Sequence, residues 1–314
     1  MKIFLPGGAG LVGLNLIHQI QNNYPDWELI VVDKKSKSID IAKKLFTDSN
    51  ISFICEDLNN INDSKWPSLI KNCDACVMLQ AEIGNTDNNQ FWYNNVESTI
   101  TIIKELKKNN IKRLIHISSS VVNSVSNDEY TLTKRKQEEI VKREWEDPII
   151  LCPTLMFGWF DRKHLGWLAK FMKKFFIFPI PGNGRFIRQP LYVGDFCKVI
   201  ISCLLDYKLV GVYEITGLEK ISYISLMKLL RKTINAKTYM INLPIPLFGF
   251  LLKIWALITF KPAFTKSQLK ALTAGDQFSI LEWPKIFNVE HTPIKKAFKI
   301  TFKDKKFSNI DIPF

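Results

Sequence analysis

Residues 2–13 read Lys2-Ile3-Phe4-Leu5-Pro6-Gly7-Gly8-Ala9-Gly10-Leu11-Val12-Gly13. A short apolar run meets a glycine-rich turn, and an apolar segment of helical period follows to residue 22. The stretch therefore predicts a strand, a tight turn and a helix entered at its amino end. Gly7 permits the turn, Gly10 permits close approach of the backbone to a pyrophosphate, and Gly13 permits the helix to pack closely on the strands. Leu11 and Val12 open the helix, where unpaired N–H groups and the positive end of the helix dipole suit phosphate. A second apolar run ends in Asp33, twenty residues after Gly13. A carboxylate there accepts hydrogen bonds from adenosine ribose hydroxyls and repels a 2′-phosphate, so the pattern predicts NAD. Lys34 and Lys35 follow at once and soften that repulsion, which keeps NADP as the alternative. Glu56-Asp57-Leu58, after a third apolar run, is placed to meet the adenine.

Further along, short apolar runs alternate with helix-period segments, the pattern of βαβ units burying both faces of a parallel sheet. Strands are expected at residues 2–5, 27–33, 51–55, 74–80, 112–118 and 148–152, and helices at 11–22, 38–47, 63–71, 89–109 and 128–146. The fold class is α/β, a Rossmann-type doubly wound parallel sheet with a smaller, mixed α/β carboxy-terminal substrate domain. Residues 1–160 make the dinucleotide domain and 161–314 a substrate region interleaved with it. Strand 188–193 is a candidate to return to the sheet, and 211–215 reads as an isolated strand.

The 314 residues carry 43 Lys and Arg against 30 Asp and Glu, and this surplus of 13 positive charges implies an anionic partner. With 46% hydrophobic residues the chain is no disordered polymer. Six scattered cysteines do not make a disulfide scaffold, and the glycine turn interrupts the apolar start, so no signal peptide is read. A reducing, cytoplasmic setting is expected. Cys73-Asp74-Ala75-Cys76 has no second pair or nearby histidine, and His18, His116, His164 and His291 lack ligand spacing, so no metal site is assigned. No module that reads nucleic acid is visible.

The fifth expected strand runs into Ser118-Ser119-Ser120, and Tyr130-Thr131-Leu132-Thr133-Lys134 follows on a helix. Tyr130 and Lys134, four apart, share one helical face. An ammonium beside a phenol favours phenolate and lowers the tyrosine pKa, which suits a base for a sugar hydroxyl, and a serine can hold the same substrate oxygen. With these residues the sequence resembles the extended short-chain dehydrogenase/reductase superfamily, and within it the NAD-dependent epimerase/dehydratase family of nucleotide-sugar enzymes. The resemblance covers nearly the whole chain, including Leu79-Gln80-Ala81, Asn94-Asn95-Val96, Pro153-Thr154 and Phe157-Gly158. It implies that Ser119 takes the catalytic serine place, with Ser118 and Ser120 as weaker candidates, and that Asn95 supports the active-site architecture. It implies too that Lys134 binds the nicotinamide ribose and that Pro153 and Thr154 flank the nicotinamide.

Two departures from the family pattern matter. Dehydratases of the family carry an acid pair just after the catalytic serine, where this chain has Ser120-Val121, so dehydration is not expected. The family's Tyr-Gly turn and longer substrate loop are also absent between Ser120 and Tyr130. On the substrate side, Arg185 and Arg188 are placed to clamp a sugar diphosphate, or are solvated loop arginines. Residues 243–260, LPIPLFGFLLKIWALITF, hold one charge and two prolines in eighteen residues, too short and broken to span a bilayer comfortably. They are either a membrane-interface segment, with Trp255 and the phenylalanines inserted beside Lys261, Lys266 and Lys270 and helped by 164–178, or part of a core. This carboxy-terminal pattern is similar to bacterial family members that epimerise C4 of a sugar on undecaprenyl diphosphate, and to accessory subunits of respiratory complex I. The expected activity is an NAD-dependent sugar 4-epimerase in surface polysaccharide synthesis. The alternatives are a 4-keto-sugar reductase and a non-catalytic NAD-binding accessory protein. The expected partner is a nucleotide- or lipid-linked sugar diphosphate, with peripheral contact on the inner membrane face and a homodimer left open.

Overall fold

The structure is a computed structural model describing all residues except 86, 125, 126, 162, 259–268, 270, 271, 274, 276, 277, 279, 280, 311, 313 and 314, and excluding the side chains of 255–258. Trp255, Lys261, Lys266 and Lys270 thus lie outside what is described.

Six strands come from the first half: β1 (Lys2–Pro6), β2 (Glu28–Asp33), β3 (Ile51–Cys55), β4 (Ala75–Met78), β5 (Arg113–Ile117) and β6 (Ile149–Pro153). They form a parallel sheet in the order β3-β2-β1-β4-β5-β6. Alternation along the strands sends residues to opposite faces, and both faces are buried. Ile3, Leu5 and Val31 pack in a core with Leu14, Ile17, Phe196 and Ile200, whereas Phe4, Ile30 and Val32 pack with Ile102, Leu106 and Ile140. The first face is covered by α1 (Leu11–Asn23) and the second by α5 (Ser98–Lys108) and α6 (Glu129–Glu144). The strand order reverses at β1/β4, and ligands of such sheets bind beyond the carboxyl ends of the strands at that reversal. The glycine turn leaves β1 there.

Strand positions agree with expectation to within about two residues, while four local expectations do not hold. The helix expected at 63–71 is only the turn Trp66–Leu69, its N–H groups tied to the Glu56 carboxylate. The helix expected at 89–109 contains a π-helical segment, Trp92–Glu97. The strand expected at 188–193 is split, because Pro190 has no N–H to give a ladder. Ile187–Arg188 pairs antiparallel with Ile221–Ser222, and Leu191–Tyr192 pairs parallel with Met156–Phe157. Gly211–Ile215 is the strand that joins the sheet, pairing with β6 as its seventh member.

The second half has its own core of Phe157, Leu165, Met172, Phe178, Tyr223, Leu226, Leu230 and Phe298. Ile177–Pro181 and Tyr239–Leu243 pair in parallel beside it, and the helix Ile245–Ile258 follows. The helix Val193–Leu205 instead packs its apolar residues into the first core. Among the described residues no helix is long and apolar enough to cross a membrane.

Candidate active site

At the cofactor end, Gly7 has φ +75°, a left-handed conformation that glycine adopts without strain. A Cβ on it would stand 2.5 Å from the Gln80 backbone, so the turn after β1 lies directly against the loop after β4. Gly13 packs against the turn rather than a strand, since a Cβ there would stand 2.1 Å from the Gly8 carbonyl oxygen. At Gly10 the space is open, with only the Gly7 carbonyl oxygen within contact, at 3.6 Å. This open side of Gly10, at the head of α1, fits the close approach of a dinucleotide's pyrophosphate. Asp33 ends β2 half-buried and accepts the Lys35 N–H at 3.1 Å. The Lys34 ammonium reaches across to Asn94 Oδ1 at 2.6 Å and stands 4.0 Å from Glu82. Asp57 accepts the Asn59 N–H and hydrogen-bonds the Tyr93 phenol, while Leu58 is buried. Beyond β4, Leu79 is half-buried, Ala81 is exposed and the buried Gln80 donates to Thr99.

Asn95 is fully buried on the π-helical segment. Its Oδ1 accepts the Glu82 N–H at 2.6 Å and its Nδ2 donates to Thr133 Oγ1 at 3.0 Å, so it ties the loop after β4 to α6. The head of α6 is set by Asp128, whose carboxylate accepts the Thr131 N–H. On this helix Tyr130 stands beside the Ser119 side chain, which acts to lower its pKa. Lys134, 1% exposed, donates to the Ile117 carbonyl at the end of β5 at 2.9 Å. Ser119, Tyr130 and Lys134 thus meet where β5 ends.

One electrostatic expectation is corrected. Burial raises the Tyr130 phenol above its usual value, the neighbouring Ser119 hydroxyl opposes this, and Asp128 adds to the rise. Burial pushes Lys134 down to about 8, against the opposing influence of Cys152 and Glu138. A desolvated amine bonded to a backbone carbonyl does not act as the strong neighbouring charge that the i,i+4 spacing suggests. Ser119 is the group here that favours phenolate.

Ser118 faces away from this trio and donates to the buried Glu138 carboxylate at 2.6 Å, while Ser120 opens a short 3-10 turn. Glu138 also accepts the Cys152 thiol at 3.3 Å and Lys142 at 2.9 Å. Sequence reasoning passed over Glu138, although Tyr130, Lys134 and Glu138 form a ladder of i+4 steps. Pro153 ends β6 buried. Thr154 donates through Oγ1 to the Gln189 carbonyl at 3.1 Å, and its N–H bonds Ile215. Gln189, also missed, is fully buried and joins Gly217 and Phe278. Arg188 is half-buried on its two-residue strand near His164 and Tyr223, whereas Arg185 is exposed on the preceding turn. Burial pushes the Cys73 thiol up to about 12 and Cys76 well above its usual value, so neither is poised as a thiolate.

Known proteins share this architecture. The chain is 22% identical over 294 residues to UDP-glucose 4-epimerase of Vibrio cholerae, covering 85% of this chain and 84% of that one. It is 25% identical over 177 residues to the mitochondrial NADH dehydrogenase [ubiquinone] 1 alpha subcomplex subunit 9 of Mus musculus, covering 56% of this chain and 46% of that one. This chain spans about half the length of that relative, and 36% of a trifunctional UDP-glucose 4,6-dehydratase protein of Arabidopsis thaliana to which it is 24% identical. Among solved structures, UDP-glucuronic acid 4-epimerase from Bacillus cereus in complex with NAD superposes with a TM-score of 0.72 at 20% identity, covering 96% of this chain and 98% of that one. The Bordetella bronchiseptica enzyme WbmG in complex with NAD gives 0.69 at 15% identity, covering 99% and 97%. These likenesses fix the fold. The family assignment rests on a match to residues 3–215, more than half of the chain and the whole course from the first strand to the seventh. On that match, this protein belongs to the NAD dependent epimerase/dehydratase family.

Proposed function

We propose that the protein is a sugar 4-epimerase with tightly held NAD, acting on a hexose or hexosamine carried by a nucleotide or undecaprenyl diphosphate in surface polysaccharide synthesis. The observation that carries this reading is Tyr130 standing beside Ser119 on the helix that holds the buried Lys134 against the end of β5, with open space at Gly10. Gly7, Gly10, Leu11, Val12 and Gly13 would hold the pyrophosphate, Asp33 and Asp57-Leu58 the adenosine end, and Leu79, Gln80, Ala81, Pro153 and Thr154 the nicotinamide end. The Asp33 carboxylate, with Lys34 engaged by Asn94 and Glu82, supports NAD over NADP. Bound there, NAD supplies a reversible hydride acceptor for C4 of the sugar. Tyr130 accepts the C4 hydroxyl proton as the carbonyl forms and returns it when the alcohol is restored on the other face. Ser119 holds the same oxygen, and Lys134 orients the tyrosine and the ribose. Arg185 and Arg188 supply positive charge for the sugar diphosphate.

Mass spectrometry of the purified protein, followed by incubation with UDP- and undecaprenyl-diphosphate-linked hexosamines, tests the proposal. The epimerase releases NAD on denaturation and interconverts C4 epimers without added reductant. Conversion only with stoichiometric NAD(P)H would instead establish a 4-keto-sugar reductase. Tyr130→Phe should lower turnover by a factor of about 10² to 10⁴. Unchanged biological activity in that variant would mark a non-catalytic accessory protein.

A further inference from the structure

The helix Ile245–Ile258 is apolar on both sides. Gly249 is buried and Phe248 and Leu252 are half-buried, whereas Leu247, Phe250, Leu251 and Ile254, at i, i+3, i+4 and i+7, form an outward stripe. Phe250 is 58% exposed, a poor position for a phenylalanine facing water. The preceding strand extends this surface. Tyr239, 71% exposed, stands in register with the exposed Ile177, and Phe176, 76% exposed, accepts the Tyr239 N–H through its carbonyl. Tyr239 in turn borders a groove of about 630 Å³ walled by Lys228, Arg231, Lys232 and Lys237.

The charge of the segments that carry this surface is one-sided. No Asp or Glu occurs from Lys163 to Gly194 or from Lys220 to Gly275, and these segments hold fifteen Lys and Arg. The rest of the chain has 28 basic residues against all 30 acidic ones, so the positive surplus of the sequence lies in these two segments, with Lys261, Lys266 and Lys270 outside the described residues. Two copies meeting through this face would oppose like charges. A bilayer bearing anionic headgroups satisfies both features at once, taking the apolar stripe into its interface and the lysines and arginines at its phosphates.

We infer that the outward stripe of the helix Ile245–Ile258, with exposed Phe176, Ile177, Tyr239 and Ile241 and the adjoining basic groove, docks the protein on an anionic membrane surface. None of these residues has a part in the proposed sugar chemistry, so vesicle binding and sugar conversion fail independently.

The test is co-sedimentation of the full chain with vesicles of phosphatidylcholine alone or mixed equally with phosphatidylglycerol, at about 0.1 M and about 0.5 M salt. Binding should require phosphatidylglycerol and weaken at the higher salt. Phe250→Asp with Leu251→Asp should lower affinity about tenfold or more, and so should Arg231→Glu with Lys232→Glu. Retained NAD and an unchanged urea midpoint establish that each variant is folded, and Leu247→Ser with Ile254→Ser provides a milder change. Absence of binding to anionic vesicles, equal binding to both lipids, or wild-type binding by folded variants would overturn the inference. So would a wild-type dimer that the Phe250/Leu251 variant converts to monomer, which would make the stripe an interface between copies.

Discussion

Glu138 lies one helical turn beyond Lys134, and its buried carboxylate opposes the fall in the lysine pKa that burial causes. The Lys134 ammonium is lost as pH rises through about 8, so a step that needs it should slow over that range. Removing the nearby negative charge makes the ammonium harder to keep, and the alkaline limb must move to lower pH. Glu138→Gln should shift the limb of kcat down by about one pH unit, and Glu138→Asp should restore part of the shift. A purely structural loss would scale the rate equally at every pH and leave the limb in place, so a kcat profile from pH 6 to 10 distinguishes the two. Ser118, Cys152 and Lys142 all donate to this carboxylate and fix its place beside the lysine.

At the scale of elements, the turn between β1 and α1 separates two duties that one glycine pattern suggests together. Gly13→Ala drives a methyl into the Gly8 carbonyl, so α1 must move away from the turn, and unfolding should become easier by roughly 1–3 kcal/mol. Gly10→Ala meets open space, so its urea midpoint should stay within about 0.5 kcal/mol of wild type while NAD is lost on purification. Equal destabilisation by both would refute the division. The same elements explain what sequence could tell. β1, β2, β4, β5 and β6 were legible because burial on both faces leaves continuous apolar runs; Ser119, Tyr130 and Lys134 were legible from a strand end and i+4 spacing, and Asn95 only from the family resemblance. The π-helical segment was hidden, since one wide turn leaves a helix pattern almost intact. The seventh strand was misplaced because Val212 is exposed at the sheet edge and its run lacks the apolar continuity of the inner strands. Two-residue pairings around Pro190 have no period to read.

At the scale of the molecule, sequence order and packing order diverge. The sheet takes its seventh strand from beyond residue 210, the helix Val193–Leu205 packs on α1, and the carboxy-terminal segment returns to the same core. Phe307, 3% exposed, packs with Phe46 of the first half and with Trp159 and Phe160, and stands edge-on to His18 at 5.0 Å. A turn led by Asp304, whose carboxylate accepts the Phe307 N–H at 2.7 Å, delivers the ring there. The aromatic ring thus fills a place in the first core among His18, Phe46, Trp159 and Phe160, and its removal leaves a cavity bordered by aromatic neighbours. Phe307→Ala should therefore lower unfolding free energy by about 3–5 kcal/mol, a large share of the roughly 5–15 kcal/mol of a typical domain. A urea titration followed by tryptophan fluorescence measures this, because Trp159 lies beside the ring at 4.8 Å. A loss below about 1 kcal/mol would show that the tail leaves the surface freely. A full loss in one cooperative transition would show that the substrate side and the dinucleotide side unfold as one body, tied by a residue seven positions from the end of the chain.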